Sequence, residues 1–315
     1  MVIKKVKLLK KNNRLHNLVL PGFDGVPISQ VILFIVKGLR KGVLVTRASS
    51  IAFNLLMALL PSSIFIFTLI PFIPIPNFQE ELIRLFENII PANAFSYLKT
   101  TIIDIVTNKS GGLMVLMFLA TIFFSTNGIH AIINAFVVSS HTFTTRSWLN
   151  QRKISLLLLF IVLIMLSIVG FLLIFGKLVF QGLIELHVIK GKLVISILIF
   201  TKWILVILLL FFAISFLYYF APARKSEFKL FSAGSILATF LFIITSLGFS
   251  AFVNNFGTYN KLYGSIGTLM VILIWLYLNS IAVLLGFELN ASIKEAKEGE
   301  FKEQPTKKFS PPDKI

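Results

Sequence analysis

The chain of 315 residues contains no cysteine and few acidic residues, with 13 Asp and Glu against 30 Lys and Arg. Without cysteine it has no disulfide framework, no thiol nucleophile and no cysteine-ligated metal site. It also lacks a His-x-His or His-Glu-x-x-His motif, a paired-carboxylate spacing for a metal, and a phosphate-binding Gly-x-x-x-x-Gly-Lys-Ser/Thr loop. The four histidines are scattered, at positions 16, 130, 141 and 187. We therefore expect no enzyme activity, no cofactor and no metal.

Charge of either sign is scarce, whereas apolar runs are long. Charged residues make up 14% of the chain and hydrophobic residues 57%, although a soluble protein carries roughly a quarter charged residues. So little polar surface cannot cover a soluble core of this size, and lipid must therefore serve as the solvent. A bilayer core about 30 Å thick requires roughly 20 apolar residues per helix. Six segments meet this requirement, at about 48–72, 112–138, 154–176, 195–220, 230–253 and 264–289.

The sequence therefore predicts an all-α fold, a polytopic membrane helical bundle with six transmembrane helices. The distribution of Lys and Arg indicates its orientation. If the N-terminus is cytoplasmic, 22 basic residues lie on the inner side and seven on the outer side. We expect both termini in the cytoplasm. A basic N-terminal tail (1–27) and a charged, largely disordered C-terminal tail (294–315) then flank a six-span membrane domain (28–293).

Two further segments have a helical period without the apolarity of a span. Residues 77–108 predict an amphipathic helical hairpin on the outer face between spans one and two, either interfacial or re-entrant, with an ordinary loop as the alternative. Residues 28–45 alternate apolar residues with Lys37, Arg40 and Lys41. This second segment fits either an amphipathic helix on the cytoplasmic surface or an extension of span one.

A formal net charge of +17 can suggest nucleic acid, but the positions of the basic residues matter more than their sum and first indicate topology. The basic residues crowd at the two ends and in the inner loops, where anionic lipid headgroups explain them more simply than nucleic acid does. A nuclease would need acidic metal ligands or a general base beside a basic groove. We expect membrane lipids as partners and no specific nucleic acid, and the sequence leaves a homo-oligomer open.

Polar side chains inside apolar spans are costly and mark either function or helix packing. In span one, Asn54 lies seven residues beyond Arg47 and so on nearly the same face. In span two, Asn127, His130 and Asn134 share a face because they are spaced by three and four residues. His130 lies about 12 Å from the cytoplasmic end of its span, and Asn54 lies at a similar depth.

This pattern suggests a polar cavity that faces the cytoplasm. Arg47 would pair with Glu288 at the end of span six. His130, together with Asn54 and Asn134, would contact a substrate or a proton. The alternative is that the amides only hold helices together and that the charged pair snorkels at the interface. The candidate cavity residues are Arg47, Asn54, Asn127, His130, Asn134, Glu288 and Asn290.

Two features concern helix shape and packing. Pro61 lies inside span one and lacks a backbone N–H, so it should kink the helix, either to shape packing or in a mechanical role.

Small residues at the start of span six permit close helix approach, and those of span five are expected to face them. They are Gly264, Ser265, Gly267 and Thr268 in span six, and Ser232, Gly234, Ser235 and Ala238 in span five.

Several motifs resemble those of the YihY/BrkB family of bacterial inner-membrane proteins. Span one carries RASSIAF at 47–53 and LLP at 59–61, and span two carries NG at 127–128. The most specific motifs are in span six, with YGSIG at 263–267 and LGFELN at 285–290. The resemblance covers roughly residues 30–293. The family often has Tyr after the first-span Phe, whereas this chain has Asn there.

The resemblance implies a six-span protein of the bacterial inner membrane whose biochemical function is unassigned. An older ribonuclease BN label attached to the family has no support in the residues of this chain. The leading hypothesis is a transporter, or a transport-related envelope protein, for a lipid or amphiphilic solute. The alternative is a non-transporting membrane scaffold involved in cell-envelope integrity, which binds a partner through the basic N-terminal segment or the C-terminal tail.

Overall fold

The structure, a computed structural model, describes residues 27, 43–74, 78–80, 83, 103–104, 107–139, 147–185, 192–222, 230–255 and 257–298. Six α-helices account for most of these residues, and this part of the chain contains no strand. The helices are α1 (Val43–Leu69), α2 (Gly111–Ser139), α3 (Trp148–Glu185), α4 (Lys192–Phe220), α5 (Ala233–Asn255) and α6 (Gly257–Glu298), and a 3₁₀ turn (Ile70–Phe72) follows α1.

All six helices are long and apolar enough to cross a membrane. The prediction of an all-α bundle with six spans is therefore confirmed. The spans are Leu44–Phe72, Gly111–Val137, Trp148–Leu172, Ile199–Phe220, Ala233–Val253 and Leu269–Lys294.

Helices α1, α3 and α6 extend well beyond the apolar runs that predicted them. Helix α1 begins at Val43 rather than near 48, because Arg47 is buried and paired inside the bundle instead of ending the span. Helix α6 continues through polar residues as far as Glu298. The N-terminal tail, the C-terminal tail after 298, residues 28–42 and most of the hairpin at 77–108 lie outside the described residues, so those interpretations stay predictions.

The six helices form a closed ring in chain order. Each helix contacts the next one along the chain, and α6 returns to contact α1 and α2. The contacts between α1 and α2, between α5 and α6 and between α6 and α1 are the most extensive. Packing of the last span on the first therefore closes the bundle.

Burial divides the bundle into two halves. The packed half contains the start of α1, the end of α2, the start of α3, the end of α4, the start of α5 and the end of α6. Its buried side chains form one continuous apolar core that all six helices share. In the other half, named the open half, the buried residues among those described are Pro61, Ile70, Pro71 and Gly267.

Three aromatic rings fill the centre of the packed half. Phe136 of α2 stacks on Phe287 of α6 with ring centroids 4.0 Å apart and planes 5° apart. Tyr218 of α4 meets both rings edge-on, and its hydroxyl donates a hydrogen bond to the carbonyl oxygen of Val283 at 2.5 Å. Because the phenol has a partner, the ring can be fully buried at little cost. This trio joins three helices that are not neighbours in the sequence.

Helices α5 and α6 approach each other most closely at two glycines. A Cβ atom on Gly234 would collide with the carbonyl oxygen of Gly286, and a Cβ on Gly286 would collide with that of Gly234. The expectation that the small residues of span five face the start of span six was therefore wrong for Gly234. The two helices are antiparallel, so the start of α5 meets the end of α6.

Replacing Gly234 with alanine tests this contact. We expect Gly234→Ala to lower the free energy of unfolding by about 1–3 kcal/mol, because a methyl group overpacks the contact and the helices must separate. Gly248 is the matched control on the same helix, since a Cβ there meets nothing within 4 Å. Gly248→Ala should be neutral or slightly stabilising because alanine favours helix over glycine. Unfolding by sodium dodecyl sulfate in mixed micelles measures the free energy of unfolding of both variants. Equal stability of the two variants would contradict the close contact between α5 and α6.

Candidate functional site

A buried arginine connects three helices in the packed half. The Nη2 atom of Arg47 donates to Oε1 of Glu288 at 2.6 Å, which ties α1 to α6. Its Nη1 atom donates to the carbonyl oxygen of Ala135 in α2 at 2.9 Å. The side chains of the ion pair are only 9% and 11% exposed. The guanidinium is therefore stabilised by a carboxylate and a carbonyl rather than by water.

A polar cavity of about 360 Å³ lies between α1 and α2, beside this arginine. Its lining includes five of the seven candidate residues from the sequence. The lining residues are Arg47, Ser50, Asn54, Asn127, His130, Ala131, Asn134 and Ala135. Glu288 is not part of the lining, although its carboxylate holds Arg47 in place.

Helix geometry explains why these side chains meet. Residues 127, 130/131 and 134 recur every three or four positions along α2, and residues 47, 50 and 54 do so along α1, so each set occupies one face. The two faces come together because the helices pack closely at Gly128. A Cβ on Gly128 would lie 3.0 Å from Cδ2 of Leu55 and 3.8 Å from the carbonyl oxygen of Asn54.

Two residues at the start of α3 orient the amides of the cavity, and the sequence reasoning did not include them. Arg152 donates from Nη1 to Oδ1 of Asn127 at 2.6 Å, and Gln151 donates from Nε2 to Oδ1 of Asn134 at 2.6 Å. The sequence could have placed these two residues near α2, although not the direction in which their side chains extend. Consecutive antiparallel helices with a short connection place the first residues of α3 opposite the last residues of α2. In the sequence analysis, Arg152 was only one of the 22 basic residues assigned to the inner side.

His130 sits in the wall of the cavity and is half-buried. Its Nδ1 atom is buried and has no hydrogen-bond partner in the part of the chain that the structure describes. The sequence suggested that His130 would act with Asn54 and Asn134. All three line the cavity, but Asn54 donates to the carbonyl oxygen of Ser50 in its own helix, and Asn134 accepts from Gln151.

Asn290 is not part of the cavity, and that assignment needs correction. Its Oδ1 atom accepts from the backbone N–H of Gly234 at 2.8 Å, and its Nδ2 atom donates to Oγ of Ser232 at 2.8 Å. The first N–H groups of a helix have no partner within the helix, and Gly234 is the second residue of α5. The amide of Asn290 therefore caps α5 instead of facing a ligand.

Pro61 is buried in the middle of α1, and the helix continues through it to Leu69. Without an N–H it cannot donate the usual hydrogen bond to the residue four positions earlier. Pro61 lies in the open half, seven residues beyond Asn54, and does not line the cavity. Its predicted kink and any mechanical role stay predictions.

The polar groups of the cavity lie at different depths along span two. Counted along the helices, Asn134, His130 and Asn127 lie roughly 5, 11 and 15 Å from the end of span two at Val137. The described residues contain no group of three or more His, Asp or Glu side chains that could hold a metal ion. The side chains of the cavity are suited to hydrogen bonding and to charge pairing with a ligand.

Removing one partner of the ion pair tests its contribution to stability. Glu288→Leu should lower the free energy of unfolding by about 3–5 kcal/mol, because the guanidinium of Arg47 stays buried without its carboxylate. The double variant Arg47→Met/Glu288→Leu should regain most of this loss, since neither charge is then buried. Unfolding in mixed micelles measures both variants. Equal stability of Glu288→Leu and the parent chain would contradict a structural role for the pair.

Comparison with known proteins gives matches across most of the chain. The family model described as virulence factor BrkB matches residues 35–310. A protein named as ribonuclease-like, YfkH of Bacillus subtilis, is 28% identical over 253 residues, which cover 80% of this chain and 91% of the relative.

Shorter matches lead to proteins named UPF0761 membrane proteins. The one from Vibrio atlanticus is 34% identical over 88 residues, 28% of each chain. The one from Pseudoalteromonas translucida is 38% identical over 77 residues, 24% of this chain and 26% of the relative. No solved structure matches this chain. The resemblance found in the sequence motifs is confirmed, and the chain belongs to the BrkB virulence factor family of membrane proteins.

Proposed function

We propose that this membrane protein is a transporter, or a transport-related protein of the cell envelope, for a lipid or an amphiphilic solute. The observation that carries the proposal is the polar cavity between α1 and α2. Polar groups deep in a span are costly, and where they occur they usually mark a binding or transport site. The surplus of Lys and Arg on one side of the spans supports a bacterial cytoplasmic membrane location with both termini in the cytoplasm. The packed half, and with it the cavity, then lies toward the cytoplasm.

The two halves of the bundle suit the two parts of an amphiphile. In the open half, large apolar side chains are exposed on α2, α3, α4 and α5, such as Phe123, Phe171, Phe200 and Leu247. Hydrocarbon chains can contact these side chains while a polar head occupies the cavity. Because lipid tails are as apolar as leucine, the helices gain no hydrophobic driving force for closing together in this half.

The proposal involves no enzymatic step. The ribonuclease-like name belongs to the Bacillus subtilis relative, and the activity proposed for this chain rests instead on a cavity of amides, one imidazole and one paired arginine. Membrane lipids are the proposed partners, including anionic headgroups at the cytoplasmic face. A homo-oligomer is compatible with the proposal and is not required by it.

A flux assay tests the proposed function. The full chain is reconstituted into liposomes that contain fluorescent phosphatidylglycerol, and dithionite then quenches the label that reaches the outer leaflet. Asn134→Leu should slow the movement about three- to tenfold, since it removes one hydrogen-bonding amide and fills part of the cavity. Thr121→Val is the matched control on the same helix, because among the described residues that hydroxyl bonds only to the carbonyl oxygen of Met117.

Liposomes with the protein that quench no faster than empty ones would contradict the transport function. Deletion of residues 1–27 separates transport from the scaffold alternative. A scaffold that binds through this basic segment should lose its cellular phenotype, whereas a transporter should keep most of its flux.

A further inference from the structure

The described side chains around the cavity carry more positive than negative charge. Arg47 lines the cavity, and Arg152 donates to Asn127, another lining residue, at 2.6 Å. Among the described residues, the carboxylate of Glu288 pairs with Arg47 from outside the cavity, and no acidic residue is part of the lining. Within the part of the chain that the structure describes, these two guanidinium groups and one carboxylate sum to one positive charge.

Arg152 extends along α2 into the bundle rather than outward to the membrane surface. Its partner Asn127 lies ten residues before the end of the span at Val137. Long basic side chains near span ends usually snorkel outward to the interface. The guanidinium of Arg152 also lies over the ring of Trp148, 5.7 Å from its centroid. Two contacts therefore fix a cation beside the cavity wall.

The hydrogen bonds from α3 also determine which groups the amides present to the cavity. Arginine can only donate, so the atom of Asn127 that faces Arg152 is Oδ1. Gln151 donates from Nε2 to Oδ1 of Asn134. The Nδ2 group of each asparagine makes no hydrogen bond to any described residue. Two amide donors and the hydroxyl of Ser50 thus join Arg47 and the imidazole of His130 in the lining, which is rich in donors and positively charged.

We propose that this cavity binds the phosphate group of an anionic ligand, an inference that rests on the proposed function and names its substrate class. A phosphate carries several acceptor oxygens in a tetrahedral arrangement, which matches donors from two helices. Arginine pairs with phosphate through strong charge-assisted hydrogen bonds. The volume of about 360 Å³ is in the range of small-molecule pockets, about 300–1,000 Å³. The phosphate belongs either to a lipid headgroup or to a soluble phosphoester.

Equilibrium binding to the full chain in uncharged dodecyl maltoside micelles tests the proposal. The probes are dioctanoyl phosphatidic acid, glycerol 3-phosphate and dioctanoylglycerol, which has the same acyl chains without phosphate. Phosphatidic acid should bind at least about tenfold more tightly than dioctanoylglycerol, the effect expected for one charge-assisted hydrogen bond. Its affinity should also fall as salt increases.

Two neighbouring basic residues provide a matched pair of variants. Arg152→Gln should weaken binding of phosphatidic acid at least about tenfold. Lys153→Gln removes the same charge one position along, from an exposed side chain outside the cavity, and should leave the affinity within about twofold. Asn127→Asp is a second test that keeps a partner for Arg152. It places a carboxylate in the cavity wall and should repel the ligand.

The outcomes distinguish a lipid headgroup from a soluble phosphoester as the ligand. They also distinguish failure of the phosphate site from failure of the transport function. Tighter binding of phosphatidic acid than of glycerol 3-phosphate supports a lipid headgroup, and equal binding supports a soluble phosphoester. Binding of dioctanoylglycerol as tight as that of phosphatidic acid, or equal effects of Arg152→Gln and Lys153→Gln, would overturn the phosphate site. Phosphate-dependent binding without flux in liposomes would retain this site and remove the transport function.

Discussion

The buried ion pair between Arg47 and Glu288 is the interaction on which the rest of the bundle depends. It joins the first span to the last and, through the carbonyl oxygen of Ala135, both of them to the second. A buried charge without a partner is far more costly than a paired one. The sequence can therefore keep Arg47 inside the bundle only if α6 returns to α1. The closed ring of six helices satisfies this requirement, and stacking of Phe136 on Phe287 occurs beside it.

The same arginine couples stability to the candidate site. Arg47 is at once a structural partner of Glu288 and part of the cavity wall. The cavity is consequently held from two directions. The carboxylate fixes Arg47 from α6, and Gln151 and Arg152 fix the amides of α2 from α3. A site whose donors are already oriented loses little freedom when a ligand binds. In the open half, by contrast, few described residues are buried, so the bundle combines a well-packed end that contains the polar site with an apolar end in which few side chains are buried.

Much of this arrangement could be predicted because membrane helices obey simple periodic rules. The length of the apolar runs predicts six spans, and helical spacing places the polar residues of α1 and α2 on single faces. Depth counting brings Arg47 and Glu288 to one level. What could not be predicted depends on contacts between helices. By depth counting, Asn290 lies near the level of Arg47 in the cavity. It caps α5 instead, because the unpaired N–H groups at the start of that helix lie next to its side chain. Arg152 looked like an interfacial charge, since a sequence does not reveal whether a long side chain extends outward or inward.

The accessibility of the cavity to water tests the central claim most directly. The chain has no cysteine, so single cysteines can replace Asn54, His130 and Asn134 and be exposed to a membrane-impermeant maleimide in inside-out vesicles. Thr46→Cys, exposed at the start of α1, is the positive control, and Phe53→Cys, exposed to lipid beside Asn54, is the negative control. The account predicts rapid labelling at all three cavity positions and none at 53. Protection of all three while Thr46→Cys labels normally would mean that the helices are packed without a water-filled cavity.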